Sequence, residues 1–187
     1  MRRNYFFLIF LLFLISCNFS SNENKEWKKH VEAMINSWKG KTIILPDTLM
    51  VVDKDNSLQK RCLREFQSKF KIVTFIDASC SACLNNFSYW EAFIDESKLK
   101  RCDCDFLVFV NIDKLEWMDI RSLKFTYPFI IDSTCQFVEK NCIYDKRFQT
   151  FLVNEKNEVI VIGDPTVNKE LGILYKDILF NSTNYQL

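Results

Sequence analysis

The feature that most constrains the fold is a short apolar run followed at once by two cysteines and a helical pattern. Residues 72–76 form a compact apolar strand, and Cys80 and Cys83 come directly after it. Apolar residues then recur every three or four positions as far as about Lys98, which predicts a helix with one buried face. Residues 106–110 are typical of a central strand covered on both faces. This order predicts parallel βαβ units, and therefore an α/β fold.

Shorter patterns complete the predicted main domain. They indicate a weaker helix over 114–124, a short strand over 128–131, and a β-hairpin formed by 150–153 and 159–162. Asp164 and Pro165 suit the N-cap and the first position of a terminal helix.

The chain before residue 71 predicts a smaller extension. Helical spacing over 26–39 indicates a packing helix. Two β-prone runs, 42–45 and 49–52, predict a hairpin or two edge strands. Residues 58–70 carry a modest helical pattern.

The first seventeen residues have the pattern of a secretory signal. Arg2 and Arg3 precede an apolar run over 5–15, which is shorter than the roughly 20 residues that cross a bilayer as a helix. Its end, Leu-Ile-Ser-Cys17, resembles the lipobox of bacterial lipoproteins, in which the cysteine is acylated and becomes the new N-terminus. The alternative is an ordinary signal peptide cleaved nearby. The resemblance implies a lipid-anchored protein of the bacterial cell envelope, facing the periplasm.

These patterns divide the chain into four parts. We expect a signal peptide over 1–16, a lipidated tether over 17–25, a helix and hairpin extension over 26–70, and the main domain over 71–187. The 25 Lys and Arg nearly cancel the 24 Asp and Glu, so the chain lacks the basic field that nucleic acid binding needs. The single histidine, His30, excludes a site with several histidine ligands.

A Cys-x-x-Cys pair at the start of a helix has a specific chemistry. The helix dipole and free backbone N–H groups stabilise a thiolate at Cys80. Cys83 lies one turn further along the same face, from which it can attack a mixed disulfide formed at Cys80. The spacing therefore favours thiol-disulfide exchange, which needs no cofactor.

Around these residues the chain resembles the thioredoxin superfamily, and more narrowly its membrane-anchored or periplasmic members of the TlpA and ResA kind. The resemblance covers about residues 71–179 and rests on Cys80 and Cys83, on Tyr-Pro-Phe-Ile-Ile-Asp at 127–132, and on the two strands around 150–163. It implies a thioredoxin-like fold with a central mixed β-sheet flanked by helices.

The family pattern differs from this sequence at three positions. Where relatives carry a cis-proline facing the active cysteines, this chain has Phe148, and a non-proline cis peptide costs about 2.5 to 4 kcal/mol, so we expect a trans peptide there. Thr74 stands at the position of a buried acid, and Ser79 at that of an aromatic residue. The resemblance implies that Phe148 and Gln149 form the floor of the site.

Asp77 is a further candidate for the floor of the site. It has two open roles, as the cap of the strand-to-helix turn or as a proton acceptor.

The other cysteines are candidates for structural disulfides. They are Cys62, Cys102, Cys104, Cys135 and Cys142. Alternation along a strand places Cys102 and Cys104 on one face, and Cys135 and Cys142 bracket a loop long enough for a disulfide to close. A zinc site using Cys80, Cys83, Cys102 and Cys104 has unusual spacing in its second pair, so we predict no metal.

Two functions fit this sequence. The first is a membrane-anchored extracytoplasmic thiol-disulfide oxidoreductase, whose partners are the thiols or disulfides of envelope proteins and, through its anchor, the lipid bilayer. The second is a non-enzymatic thioredoxin-fold lipoprotein that binds another envelope protein and whose cysteines are structural. A thiol-dependent peroxidase is a more distant alternative.

Overall fold

A seven-stranded sheet forms the centre of the larger of two units. The computed structural model describes residues 25–78, 84–112 and 125–181, and the chain divides into units of residues 1–38 and 39–187. The strands are β1 (Thr48–Val52), β2 (Leu58–Cys62), β3 (Phe70–Asp77), β4 (Cys104–Asn111), β5 (Phe129–Ile131), β6 (Thr150–Asn154) and β7 (Val159–Ile162). The helices are α1 (25–38), α2 (Asn85–Leu99), α3 (Gln136–Asn141) and α4 (Lys169–Phe180).

The sheet is mixed, with its parallel strands in the middle. Its order is β2-β1-β5-β4-β3-β6-β7. β3, β4 and β5 run parallel, in a register that pairs Phe70 with Cys104 and Asp77 with Asn111. The outer strands β1, β2, β6 and β7 are joined to them by antiparallel pairing. The predicted α/β fold with a central mixed sheet and flanking helices is confirmed.

Helices cover both faces of the sheet, which explains why its central strands are apolar throughout. On one face α2 and α4 pack together, and the ring of Phe93 meets that of Tyr175 edge to face at 6.4 Å. On the other face α3 places Phe137 flat against Phe109, with ring centroids 4.8 Å apart, and edge-on to Phe151. Burial on both faces favours unbroken apolar strands over alternating ones.

The hairpin of the extension lies further along the chain than predicted. Residues 58–70 are not a helix, because 58–62 form β2, which pairs with β1 from Thr48 opposite Cys62 to Val52 opposite Leu58. A turn closed by a hydrogen bond from Asp53 N to Ser57 O brings the two strands together. The run 42–45 contributes only one bridge, between Thr42 and Glu158.

This hairpin belongs to the main sheet, since β1 pairs with β5 at Val51 and Ile130. Helix α1 confirms that a helix forms here, but none of its residues is buried and His30 is exposed, so its packing role stays a prediction. The predicted helix over 114–124 lies outside the described residues. Within the part of the chain that the structure describes, no helix is long and apolar enough to span a bilayer.

The terminal helix begins later than predicted. Asn168, not Asp164, is its N-cap, and the Asn168 side chain accepts a hydrogen bond from Leu171 N. Asp164 Oδ1 instead accepts hydrogen bonds from the backbone N–H and the hydroxyl of Thr166, both at 2.7 Å. Because that side chain closes a local turn of its own, it is not available to cap α4.

Candidate functional site

The connection between β3 and α2 contains the two predicted active cysteines. β3 ends at Asp77, three residues before Cys80, and α2 begins at Asn85, two residues after Cys83. Both cysteines lie outside the described residues, so their placement at the start of a helix stays a prediction. The described residues around this connection are the end of β3, the end of β4 and the loop that precedes β6.

The loop over residues 145–149 is bound to the carboxyl end of β3. Lys146 Nζ donates to Asp77 Oδ2 at 2.8 Å. Phe75 N donates to the carbonyl oxygen of Gln149 at 3.1 Å. These bonds place the 145–149 loop beside the last residues of the strand that leads to Cys80.

A buried pair of hydroxyl groups reinforces the same junction. The Oγ1 atoms of Thr74 and Thr150 are 2.8 Å apart and hydrogen-bonded. Thr74 is 1% exposed and Thr150 4%. Each hydroxyl therefore satisfies the other where water has no access.

The 145–149 loop also has its own internal structure. Residues Lys146–Phe148 form a 3-10 turn, and the Asp145 carboxylate accepts hydrogen bonds from the Arg147 backbone N–H and guanidinium group. Phe148 is buried, and Gln149 Nε2 donates to Ile143 O at 2.9 Å. Bonds at Lys146 and Gln149 hold the loop near both of its ends. The loop therefore forms a fixed wall beside the end of β3.

The neighbouring parallel strand ends at the same edge of the sheet. Ala78 N donates to the carbonyl oxygen of Asn111, the last residue of β4, at 3.1 Å. The side-chain oxygen of Asn111 is buried and has no hydrogen-bond partner among the described residues. Ala78 is thus held at the end of β4, while Asp77 before it is bonded to the 145–149 loop.

Comparison with solved structures identifies the architecture. A thiol:disulfide interchange protein from Bacteroides sp. is similar over 78% of this chain and 92% of its own, with a TM-score of 0.56 and 16% identity. The thioredoxin domain of a thiol-disulfide oxidoreductase from Bacteroides vulgatus is similar over 73% and 96%, with a TM-score of 0.54 and 17% identity. This chain has the thioredoxin fold.

A third thioredoxin-fold structure is similar over less of the chain. It is an exposed lipoprotein thioredoxin from Streptococcus pneumoniae, with a TM-score of 0.51 and 14% identity over 68% of this chain and 95% of its own. No family model and no curated protein matches the sequence. The likeness is therefore one of fold, and it confirms the fold that the sequence resemblance implied.

Within the thioredoxin fold, two of the three sequence departures fall at described positions. The peptide bond before Phe148 is trans, as expected. At the position of the buried acid, Thr74 places a neutral hydroxyl bonded to Thr150. The prediction that Phe148 faces Cys80 concerns a residue outside the described part of the chain and stays a prediction.

In the structure, the Asp77 carboxylate contacts Lys146. Both predicted roles of Asp77, as a turn cap and as a proton acceptor, stay predictions. Lys146 was not among the predicted site residues. Its position two residues before Phe148 is the one signal in the sequence that could have drawn attention to it.

The remaining cysteines do not form the predicted staple across residues 135–142. Helix α3 separates Cys135 from Cys142 as its N-cap and C-cap, both in left-handed conformation. The seven residue steps from Cys135 to Cys142 span about 10 Å at the helical rise, whereas disulfides need Cα atoms within about 7 Å. Cys62, Cys102 and Cys104 are likewise not in disulfide bonds. In the described part of the chain, no three His, Cys, Asp or Glu side chains converge in a way that could hold a metal ion.

Proposed function

We propose that this chain is a thiol-disulfide oxidoreductase that acts through Cys80 and Cys83 on the outer side of a bacterial membrane. The observation that carries the proposal is the attachment of the 145–149 loop to the end of β3, three residues before Cys80, in a chain with the thioredoxin fold. A rigid strand end and a rigid neighbouring wall are what a reactive thiol needs if its geometry is to be kept between turnovers.

The proposed reaction has two steps. The Cys80 thiolate attacks one sulfur of a substrate disulfide, and the other substrate sulfur leaves as a thiolate that takes up a proton. Cys83 then loses its proton and attacks the Cys80 sulfur, which releases the second substrate thiol and leaves a Cys80–Cys83 disulfide. Run backwards, the same steps oxidise a substrate dithiol.

The 145–149 loop is proposed as the wall against which the substrate chain lies. The buried side chains of Phe148 and Gln149 hold the loop in place, so its backbone would present a fixed surface to a peptide bound beside Cys80. Asp77 is engaged with Lys146 on this wall. In this proposal the pair positions the end of β3 and does not itself accept the proton of Cys83.

The anchor and the compartment belong to the same proposal. Cleavage before Cys17 and its acylation would tether the domain through residues 18–25, with envelope proteins as its redox partners and the bilayer as its attachment. The solved exposed lipoprotein thioredoxin supports this arrangement, since it pairs the same fold with a lipoprotein's location.

A non-enzymatic envelope-binding lipoprotein is the second candidate. The neutral Thr74–Thr150 pair and the trans peptide before Phe148 favour it, because they replace an acid and a proline that the resemblance associates with exchange. In this case Cys80 and Cys83 would be a static disulfide.

Trapping of mixed disulfides separates the two candidates. In cells carrying Cys83→Ser, we expect envelope proteins to accumulate in covalent adducts that map to Cys80 and disappear on reduction. The Cys80→Ser, Cys83→Ser double variant is the control and should give none. Absence of Cys80 adducts from a folded, membrane-located Cys83→Ser chain would favour the binding protein.

A further inference from the structure

A second pair of cysteines lies at the opposite end of the sheet from the candidate site. Cys104 is the first residue of β4 and is paired with Phe70, the first residue of β3. β3 is eight residues long, so Phe70 and Asp77 at its two ends are about 23 Å apart. Cys102 and Cys104 are therefore separate from the wall formed by the 145–149 loop.

The backbone holds these two cysteines side by side. Cys102 N donates to Ser97 O at 3.4 Å, near the end of α2, and Phe70 N donates to Asp103 O at 3.2 Å. A bend at Asp103 turns the chain between the two cysteines. Both side chains are partly buried against the main core cluster, and the Cys104 thiol donates a hydrogen bond to Asp105 O at 3.5 Å.

The two thiols differ in chemical character. Burial is the main cause that raises the pKa of Cys104 well above its ordinary value, and the neighbouring Cys102 and Asp105 act in the same direction. The pKa of Cys102 is lowered, chiefly by its hydrogen bond with Cys104 and also by the positive charge of Lys98, while burial and Asp103 oppose the shift. One thiol is thus suited to attack, and its partner remains protonated until needed.

We propose that Cys102 and Cys104 form a second redox site, a dithiol that takes up a disulfide bond from a small-molecule or protein disulfide. The Cys102 thiolate attacks one sulfur of the incoming disulfide, and the first substrate thiol leaves with a proton. Cys104 then gives up its proton and attacks the Cys102 sulfur, which releases the second substrate thiol. The incoming disulfide is reduced to two thiols, and the two cysteines are oxidised to one disulfide.

A purely structural role explains the arrangement less well. A disulfide between residues 102 and 104 would close a loop of minimal length, and in the chain-entropy account the shortest loops give the least stabilisation.

The test uses the full chain with Cys80→Ser and Cys83→Ser, so that the outcome does not depend on the proposed first site. The folded protein is incubated with oxidised glutathione, and every cysteine is mapped by differential alkylation and mass spectrometry. We expect an internal disulfide between Cys102 and Cys104. Reduced thiols at both positions in the folded protein would overturn the proposal.

Two further variants test the order of attack. Adding Cys104→Ser removes the resolving thiol, so a glutathione adduct should remain on Cys102. Adding Cys102→Ser should give several-fold less adduct on Cys104, because that thiol is more buried and has the higher pKa. Equal adduct formation at the two positions would contradict the assigned roles. If either variant fails to fold, the mapped disulfide of the parent protein decides the proposal.

Discussion

Lys146 Nζ lies 2.8 Å from Asp77 Oδ2, across 69 residues of sequence. The contact joins the loop before β6 to the last residue of β3, and therefore to the strand end that precedes Cys80. Lys146 is largely exposed, with 72% of its side chain accessible, whereas that of Asp77 is 21% accessible. Pairs this exposed contribute little to stability, so the contact matters through what it positions.

Replacing Lys146 by Met should slow thiol-disulfide exchange more than it destabilises the protein. We expect a cost of about 0.5 kcal/mol in the free energy of unfolding, typical of exposed ion pairs, and a several-fold slower reduction of an insulin-type disulfide substrate. Lys100→Met, which removes the exposed ion pair with Glu96 on α2, is the matched control. Equal rates for both variants would show that the Lys146–Asp77 contact does not position the site.

The Thr74 and Thr150 hydroxyls should behave as one unit. Thr74→Val or Thr150→Val alone leaves a buried hydroxyl without a partner and should cost about 1 to 3 kcal/mol. The double variant removes both hydroxyls and should be less destabilised than the two single costs added together. Urea unfolding of the four proteins measures this coupling, and strictly additive costs would contradict it.

The structure also explains which parts of the fold could be predicted from the sequence. β3, β4 and α2 were predicted because each carries a strong local pattern that burial in the sheet imposes. β2 was mistaken for the start of a helix because its apolar residues are too few to fix a period, and its pairing depends on the turn at Asp53–Ser57. α3 was missed because six residues between two left-handed cysteines give almost no periodic signal.

Only the part of the candidate site that is formed by residues close together in the sequence could be predicted. The Cys-x-x-Cys spacing and its position after a strand indicate Cys80 and Cys83 as candidates from the sequence alone. The partners of Asp77 and Thr74 come from segments about 70 residues away, and no local pattern specifies such contacts. Strand alternation suggested that Cys102 and Cys104 share one face, but only Cys104 lies in β4, and a bend at Asp103 separates the two.

Because the carboxyl group of Asp164 is partly buried, we predict that the free energy of unfolding depends on pH. Burial raises the pKa of its carboxyl group from the ordinary 3.8, so its ionised form is disfavoured in the folded protein. The stability it contributes is present below pH 3.8 and is lost as the pH rises through the folded pKa. Asp164→Asn, which stays neutral and keeps the acceptor for Thr166, should therefore be more stable than wild type at pH 7 but not below pH 3.8.

Asp55→Asn is a control for which we expect the opposite effect of pH on stability. Hydrogen bonds from Ser57 lower the pKa of Asp55, so its contribution is present at neutral pH and is lost as the pH falls through the folded pKa. This variant should be slightly less stable than wild type at pH 7. Thermal unfolding at several pH values checks both variants, and a destabilised Asp164→Asn protein at pH 7 would refute the account of that carboxyl group.

The proposed anchor predicts a lipid on Cys17. Metabolic labelling with a fatty-acid precursor should tag the mature protein, and Cys17→Ala should remove both the label and membrane retention. Wild-type protein that is unlabelled and recovered in the soluble fraction would rule out acylation.

The most direct test of the proposed function is the reduction potential of the Cys80–Cys83 pair. It should be measured in the Cys102→Ser, Cys104→Ser background, so that the second thiol pair does not contribute to the titration. Exchange-active pairs have potentials above about −300 mV, and structural disulfides typically lie below it. We predict a value above about −300 mV for a thiol-disulfide oxidoreductase. A lower value would mean that Cys80 and Cys83 form a static bond, and would contradict the proposed function.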